Sequence, residues 1–256
     1  MRDLAGRVAI VTGASRSSGI GAAICRTLAL RGASIYFTHW QTFDAAMGYD
    51  SGGGPAALED ELSQLVPTAA MSLDLGAEGS PKRLLDAATA ALGQPAILIN
   101  NAAHCVASSF LDLAEEELDR HLSANVRGPA LLSAEFARRT VPLGWGRIVN
   151  LVSGPDQSGE GGNLAYGISK GAIKAMTRYL AVELAAYGVT VNAVDPGPTD
   201  TGWMDGDTRA AVLGRCPGGR IGQPQDAANL VAFLVSDAGA WMTGQVLTSD
   251  GGYSLI

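Results

Sequence analysis

Short runs of aliphatic and β-branched residues alternate with longer helical patterns from one end of the chain to the other. Val8–Thr12 reads as a buried strand, followed by a Gly/Ser-rich turn and a helix from about Ile20 to Arg31. A second strand covers Ser34–Thr38. Beyond it the pattern predicts helices over Ala56–Val66, Lys82–Leu92, Glu115–Arg139, Tyr166–Tyr187 and Gln225–Ser236. Strands over Ala69–Leu73, Ala96–Asn100, Arg147–Ser153, Val189–Val194 and Gln245–Thr248 fall between them. The strands show no inside/outside alternation, so both their faces must be covered. A strand followed each time by a helix is the signature of a parallel sheet. The expectation is an α/β fold: a single domain over residues 1–256, with a doubly wound parallel sheet of about seven strands and helices on both faces. Three irregular stretches, His39–Pro55, Gly154–Ala165 and Pro196–Pro224, leave from strand C-termini. That is where open α/β sheets bind ligands.

Composition narrows the class. The chain has 256 residues, 47% hydrophobic and 17% charged, enough to bury a sizeable core and far from a disordered polyelectrolyte. Eighteen basic against 25 acidic residues leave a net charge of −7, with no Lys/Arg cluster. Neutralising phosphates requires a basic face, so nucleic acid and anionic membrane are poor partners. No apolar run approaches the roughly 18–20 residues of a membrane-spanning helix. The N-terminal stretch lacks the long apolar core of a signal peptide. A soluble, cytoplasmic protein is expected. Cys25, Cys105 and Cys216 are too scattered for a disulfide framework, and His39, His104 and His121 show no ligand spacing, so no metal is expected.

Two constellations carry chemistry. The first βα turn runs Thr12-Gly13-Ala14-Ser15-Arg16-Ser17-Ser18-Gly19-Ile20-Gly21. Glycines there let backbone approach a pyrophosphate, and the helix N-terminus offers free N–H groups and partial positive charge. The sheet is then of Rossmann type. The second is Tyr166-Gly167-Ile168-Ser169-Lys170, with Ser153 thirteen residues upstream at a strand end. Positions i and i+4 share a helix face, so Tyr166 and Lys170 can enter one cleft. A phenol is a poor acid–base near neutrality, and a neighbouring ammonium favours its ionised form. Bringing its pKa to about 7 takes some 3 units, roughly 4 kcal/mol, which demands a close and poorly solvated cation.

Together these motifs resemble the short-chain dehydrogenase/reductase family along the whole chain, most of all its 3-oxoacyl-acyl-carrier-protein reductase-like members. Asp74-Leu75, Asn100-Asn101-Ala102-Ala103, Asn125 in a long helix, and Asn192-Ala193-Val194-Asp195-Pro196-Gly197 followed by Thr199 and Thr201 complete the resemblance. Gly244-Gln245 and Asp250-Gly251-Gly252 close it. It implies Tyr166 as general acid–base and Ser153 as the group orienting the substrate oxygen. Lys170 would bind the nicotinamide ribose and lower the Tyr166 pKa, and Asn125 would hold a water in a proton relay behind Lys170. Gly13, Ser15, Arg16, Ser17, Ser18, Gly19, Ile20 and Gly21 would cradle the cofactor phosphates. His39 would meet the adenosine 2′ position and Asp74 and Leu75 the adenine. Asn101, Ala102 and Ala103 would lie along the adenosine ribose, and Pro196, Gly197, Thr199 and Thr201 beside carboxamide and phosphates. Two departures stand out. Five residues separate Gly13 from Gly19 where the family usually has three, and Ala103 replaces a usual glycine.

The implied function is an NADP(H)-dependent oxidoreductase interconverting a ketone or 3-oxoacyl-type carbonyl and a secondary alcohol. The alternatives are an NAD-dependent alcohol dehydrogenase of the same family and a catalytically silent nucleotide sensor on the same fold. NADP(H) is favoured because no acid occurs between Gly21 and Asp44 to bind a 2′-hydroxyl, and Arg16 resembles the basic residue of NADP-preferring members. Candidate substrate contacts are His104, Cys105, Gly154, Pro155, Gln157, Asn163, Trp203 and Met204. The 196–224 region, with a helical pattern at Thr208–Gly214 between proline- and glycine-rich ends, is expected to act as a lid. Leu131, Leu132, Phe136, Met176, Leu180 and Leu184 add apolar positions beyond a single stripe on two long helices. They suggest a homotetramer or homodimer.

Overall fold

A computed structural model describes residues 2–48, 53–154 and 161–255. Seven parallel strands form one sheet: β1 (Val8–Val11), β2 (Ser34–His39), β3 (Thr68–Ser72), β4 (Ile97–Asn100), β5 (Gly146–Leu151), β6 (Val189–Asp195) and β7 (Val246–Thr248). Their order is β3-β2-β1-β4-β5-β6-β7. The chain winds outward one way through β3, then returns to the centre and winds the other way from β4. The reversal between β1 and β4 opens a crevice at their C-terminal ends.

The apolar runs lack alternation because each strand fills two cores. Ala9, Val11, Ile35, Phe37, Ile97, Ile99, Val149 and Leu151 face one side. There they meet α1 (Ile20–Leu30), α3 (Gly54–Ser63) and α9 (Pro224–Val235) through Ile24, Leu28, Leu58, Leu62 and Val231. Ile10, Tyr36, Leu98 and Ile148 face the other. They pack on α4 (Ser80–Leu92), α6 (Gly128–Thr140) and α7 (Leu164–Leu184) through Leu84, Leu85, Leu132, Phe136 and Leu184.

Several elements differ from the pattern in the sequence. The helix expected over Glu115–Arg139 is broken into α5 (Glu115–Leu122), a π-helical turn over Ser123–Arg127, and α6. The stretch after β2 contains a short helix, α2 (Gln41–Ala46), and α8 (Gly206–Gly214) occupies the 196–224 region. Leu132, Phe136 and Leu184, counted among the apolar positions beyond a single stripe, are buried in the chain's own core. The large apolar side chains that do face outward are Leu131 on α6 and Leu164, Ile168, Tyr179 and Val182 on α7. Among the described residues no helix is long and apolar enough to cross a membrane.

Two amides brace the centre of the sheet directly below the crevice. Asn100 and Asn150 are register partners on β4 and β5. Asn100 Nδ2 donates to Asn150 Oδ1 at 2.8 Å and to Ser133 Oγ at 3.0 Å, and Asn150 Nδ2 donates to Thr177 Oγ1 on α7 at 2.9 Å. Hydrogen bonds between buried polar groups fix α6 and α7 against the strand ends that carry the crevice residues.

Candidate active site

The crevice is a cleft of about 500 Å³ running from Leu73–Leu75 past the first βα turn to Ser153 and Tyr166. Of the residues expected at a cofactor, all line it except Ser17, Ser18 and Lys170. Gly13 sits at φ +72°, and a Cβ there would lie 2.6 Å from Ala102 Cα. The turn is tied down at both neighbouring strands. Asn101 Nδ2 donates to Thr12 O and Gly13 O at 2.8 and 2.9 Å, and Ala14 N donates to Thr38 O at 2.8 Å. Ser15 Oγ accepts from Trp40 N at 3.1 Å. α1 then starts at Gly19 without a side-chain cap. Its first N–H groups are left as donors at the cleft, the arrangement that binds a phosphate.

Ser17 is a correction to the expected phosphate contacts. Its carbonyl and hydroxyl are taken by Arg26 of α1 at 2.8 and 3.0 Å, and Arg26 is itself held by Glu61 of α3 at 2.7 and 2.8 Å. Arg16 and Ser18 turn toward the far wall, where Arg16 Nη1 and Ser18 Oγ donate to Thr201 O at 3.3 and 3.5 Å. At the end of β2, His39 Nδ1 is buried with no hydrogen-bond partner. Burial holds its pKa below the usual histidine value, against a smaller opposing effect of the Glu59 and Asp44 carboxylates. A buried ring nitrogen without a partner beside an open cleft, together with an uncapped helix start, fits a dinucleotide lying along these walls. Asp74 Oδ1 accepts from Gly76 N at 2.8 Å, which sets the backbone turn there. Thr199 Oγ1 caps the Pro196 and Gly197 carbonyls at 3.2 Å each.

Tyr166 and Lys170 lie on one face of α7, as their spacing predicts. The Tyr166 phenol shares a hydrogen bond with the Ser153 hydroxyl. Lys170 is buried behind it, Nζ donating to Leu151 O at 2.8 Å and lying 5.4 Å from the Tyr166 ring centroid. The expected lowering of the Tyr166 pKa is not found. Burial is the largest cause and raises it well above the usual phenol value; the nearby Cys105 and Asp195 add to this, and the Ser153 hydrogen bond opposes it. Burial also brings Lys170 down to about 8, against the same two acidic groups. Phenol and ammonium are thus both poorly solvated. The phenol is neutral near pH 7 and able to donate a proton, with a cation behind it.

Asn125 occupies the π-helical turn. Its Nδ2 donates to His104 O at 2.8 Å and Ser169 Oγ at 3.0 Å, while Oδ1 accepts from His104 N at 2.7 Å. Both amide protons are therefore engaged, and only a spare lone pair on Oδ1 is left for the water that the resemblance implies. The segment after β4 is pinned further along. His104 Nε2 meets Glu117 Oε1 at 2.6 Å, and Val106 N donates to His121 Nε2 at 3.3 Å. His121 Nδ1 lies 2.9 Å from Glu117 O and 3.1 Å from its carboxylate. His104, Glu117 and His121 thus form a cluster, although the histidines show no spacing in sequence. Because His121 Nε2 accepts, Nδ1 carries the proton that Glu117 receives. A metal at Nδ1 would displace that proton and leave Nε2–H facing Val106 N–H. Only the i, i+4 pair Glu117 and His121 on α5 could have signalled the cluster in advance.

These anchors present Cys105 beside Tyr166 and Lys170, its thiol pushed up by burial. Cys105, His104, Gly154, Asn163 and Trp203 all line the cleft. Met204 does not: it packs on Val212, Ile221 and Tyr253 under α8. Pro155 and Gln157 lie outside the described residues. The sequence reading missed Phe43 of α2, whose ring stands 5.2 Å from that of His104, as well as Val212 and Tyr253, which wall the cleft beneath α8.

A family model described as enoyl-(acyl carrier protein) reductase matches residues 13–254. The uncharacterized oxidoreductase YjdA of Bacillus subtilis is 43% identical over 249 residues, covering 96% of this chain and 96% of that one. The 3-oxoacyl-[acyl-carrier-protein] reductase FabG of Escherichia coli is 34% identical over 254 residues, covering 98% of each. Among solved structures, a blue fluorescent protein from a metagenomic library in complex with NADPH superimposes with a TM-score of 0.87 at 34% identity, covering 98% of this chain and 99% of that one.

Proposed function

The chain belongs to the short-chain dehydrogenase/reductase family of NAD(P)-dependent oxidoreductases, and from that premise we propose that it interconverts a ketone and a secondary alcohol using NADP(H). The observation that carries this reading is the pair of hydroxyls, Ser153 and Tyr166, half-buried at the cleft and sharing a hydrogen bond, with the buried Lys170 ammonium behind them. Two O–H groups converging on one point suit a single oxygen atom, that of a carbonyl or a carbinol, better than a carbon–carbon double bond. The bound nicotinamide supplies or accepts the hydride.

In the reductive direction the Ser153 hydroxyl orients the carbonyl oxygen and the neutral Tyr166 phenol gives it a proton. Lys170, charged, stabilises the phenolate left behind. Asn125 keeps the wall bearing Cys105 in place through the His104 backbone, and Trp203 with the 196–224 region closes the site against water. Leu131, Tyr179 and Val182 support assembly of two or four copies through α6 and α7. The absence of an acid at the end of β2 and the NADPH bound by a structural neighbour support NADP(H) over NAD(H).

Two measurements test this. Steady-state assays with a panel of activated ketones should give a kcat/KM for NADPH at least about tenfold above that for NADH, a difference of about 1.4 kcal/mol. Equality, or preference for NADH, defeats the cofactor assignment. The pH dependence has a stated sign. Lys170 is charged below its pKa of about 8 and loses that charge above it. The kcat/KM for reduction should therefore be level through neutral pH and fall as pH rises past about 8. A profile that instead rises through that range would remove Lys170 from its role.

A further inference from the structure

Asp195 is a buried carboxyl at the last residue of β6, and it lines the cleft. The pairing of the sheet sets which way it points. Leu151 of β5 is the register partner of Val194, and its carbonyl accepts from Lys170 Nζ. Along β6, Ala193 packs with Val152 and with Ile173 of α7, while Val194 packs in the opposite core. Side chains alternate along a strand, so Asp195 shares the face of Ala193. A helix linking two parallel strands runs back against their direction, so the turn of α7 before Ile173, which carries Lys170, lies level with Asp195. Asp195 Oδ1 accepts from Gly197 N at 3.1 Å, which anchors the carboxyl at the strand end.

We infer that Asp195 is the counter-charge of Lys170, a positioning residue that keeps the ammonium charged behind Tyr166 through neutral pH. Burial pulls Lys170 down to about 8, and Cys105 and Asp195 oppose it. Burial pushes the Cys105 thiol up, so near neutrality it is uncharged and the carboxylate is the anion of the two. Tyr166, on the same helix, is neutral as well. His121 of α5 faces the Tyr166 ring, and burial holds it below the usual histidine value, so it adds no positive charge near pH 7. A buried ammonium without an anion gives up its proton readily, and a carboxylate on the facing strand retains it. The inference rests on the reading that Tyr166 transfers its proton beside a charged Lys170, and it adds the group that sets the upper pH limit of that transfer.

The test compares the full chain with Asp195→Asn, which keeps an oxygen for the Gly197 N–H and removes the charge. The fall in kcat/KM for ketone reduction, placed past about pH 8 in wild type, should come about one pH unit earlier. Cys105→Ala should leave the position of that fall where wild type has it, whatever it does to the rate. A fall at the wild-type pH in Asp195→Asn would overturn the inference. Thermal unfolding without cofactor gives a readout free of turnover. The attraction between Asp195 and Lys170 exists only below the Lys170 pKa of about 8. The Tm of Asp195→Asn should therefore lie further below wild type at pH 6.5 than at pH 9, by about 3 °C. An equal deficit at both pH values would likewise overturn the inference. If wild type shows no fall past pH 8 while the Tm difference holds, the counter-charge stands and the catalytic role of Lys170 is what fails.

Discussion

Tyr166→Phe should lower kcat at least about a thousandfold while leaving the Kd for NADPH within about twofold of wild type. The substitution removes one oxygen. The ring keeps its place on α7 and its edge-on packing against His121, whose centroid is 6.5 Å away. The Ser153 hydroxyl loses its partner, and the substrate oxygen loses the phenol placed to hand it a proton. Cofactor contacts are unaffected in kind, because the phosphate turn is held by Asn101, Thr38 and Arg26 without help from the phenol. Lys170 also keeps its bond to Leu151 O. Retention of even a tenth of wild-type kcat would mean that another group transfers the proton.

Gly13→Ala should cost stability and cofactor binding together. At φ +72° any side chain is strained, by about 1–2 kcal/mol. The new methyl would also sit 2.6 Å from Ala102 Cα, a backbone atom. Ala102 cannot easily retreat, since its N–H and that of Asn101 are both bonded to Thr12 Oγ1 at 3.0 Å. Adding about 1–3 kcal/mol for the overlap gives some 3 kcal/mol, or a fall in Tm of about 10 °C for a domain of this size. Relief of the overlap would push the turn into the cleft, so the Kd for NADPH should rise as well. Gly171→Ala is the control: that glycine is exposed on α7 with no atom within 4 Å of the added carbon, so Tm should hold or rise slightly. If Gly13→Ala melts with wild type, the turn is not packed as described.

What was legible in the sequence follows from where the determining forces act. The strands were plain because burial on two faces writes itself as unbroken apolar runs: Ile10 faces one core while Ala9 and Val11 face the other. Tyr166 and Lys170 could be paired because a helix fixes i and i+4 on one side. The break at Ser123–Arg127 could not be read, because its cause is tertiary: Asn125 clamps the backbone of His104, 21 residues away. The direction of Arg16 and Ser17 depends likewise on Arg26, Glu61 and Thr201, which only the fold brings to the turn. The Tyr166 pKa was misjudged in direction because the cation was counted and the burial was not. Leu132, Phe136 and Leu184 count as surplus apolar positions in the sequence yet lie in the chain's own core, because helical periodicity locates an apolar face without saying what covers it.

The central claim is that the cleft moves a hydride between a nicotinamide and a carbonyl carbon while Tyr166 supplies the proton. The most direct measurement follows the label from NADPH deuterated on the transferring face of the nicotinamide C4, with an activated ketone and the wild-type chain, by NMR of the product. The account predicts an alcohol with deuterium on the carbinol carbon, formed with one NADPH consumed per alcohol, and no such product from Tyr166→Phe in the same time. Wild-type protein that binds NADPH yet transfers no deuterium to any ketone of the panel, or Tyr166→Phe that transfers it as fast as wild type, would contradict it.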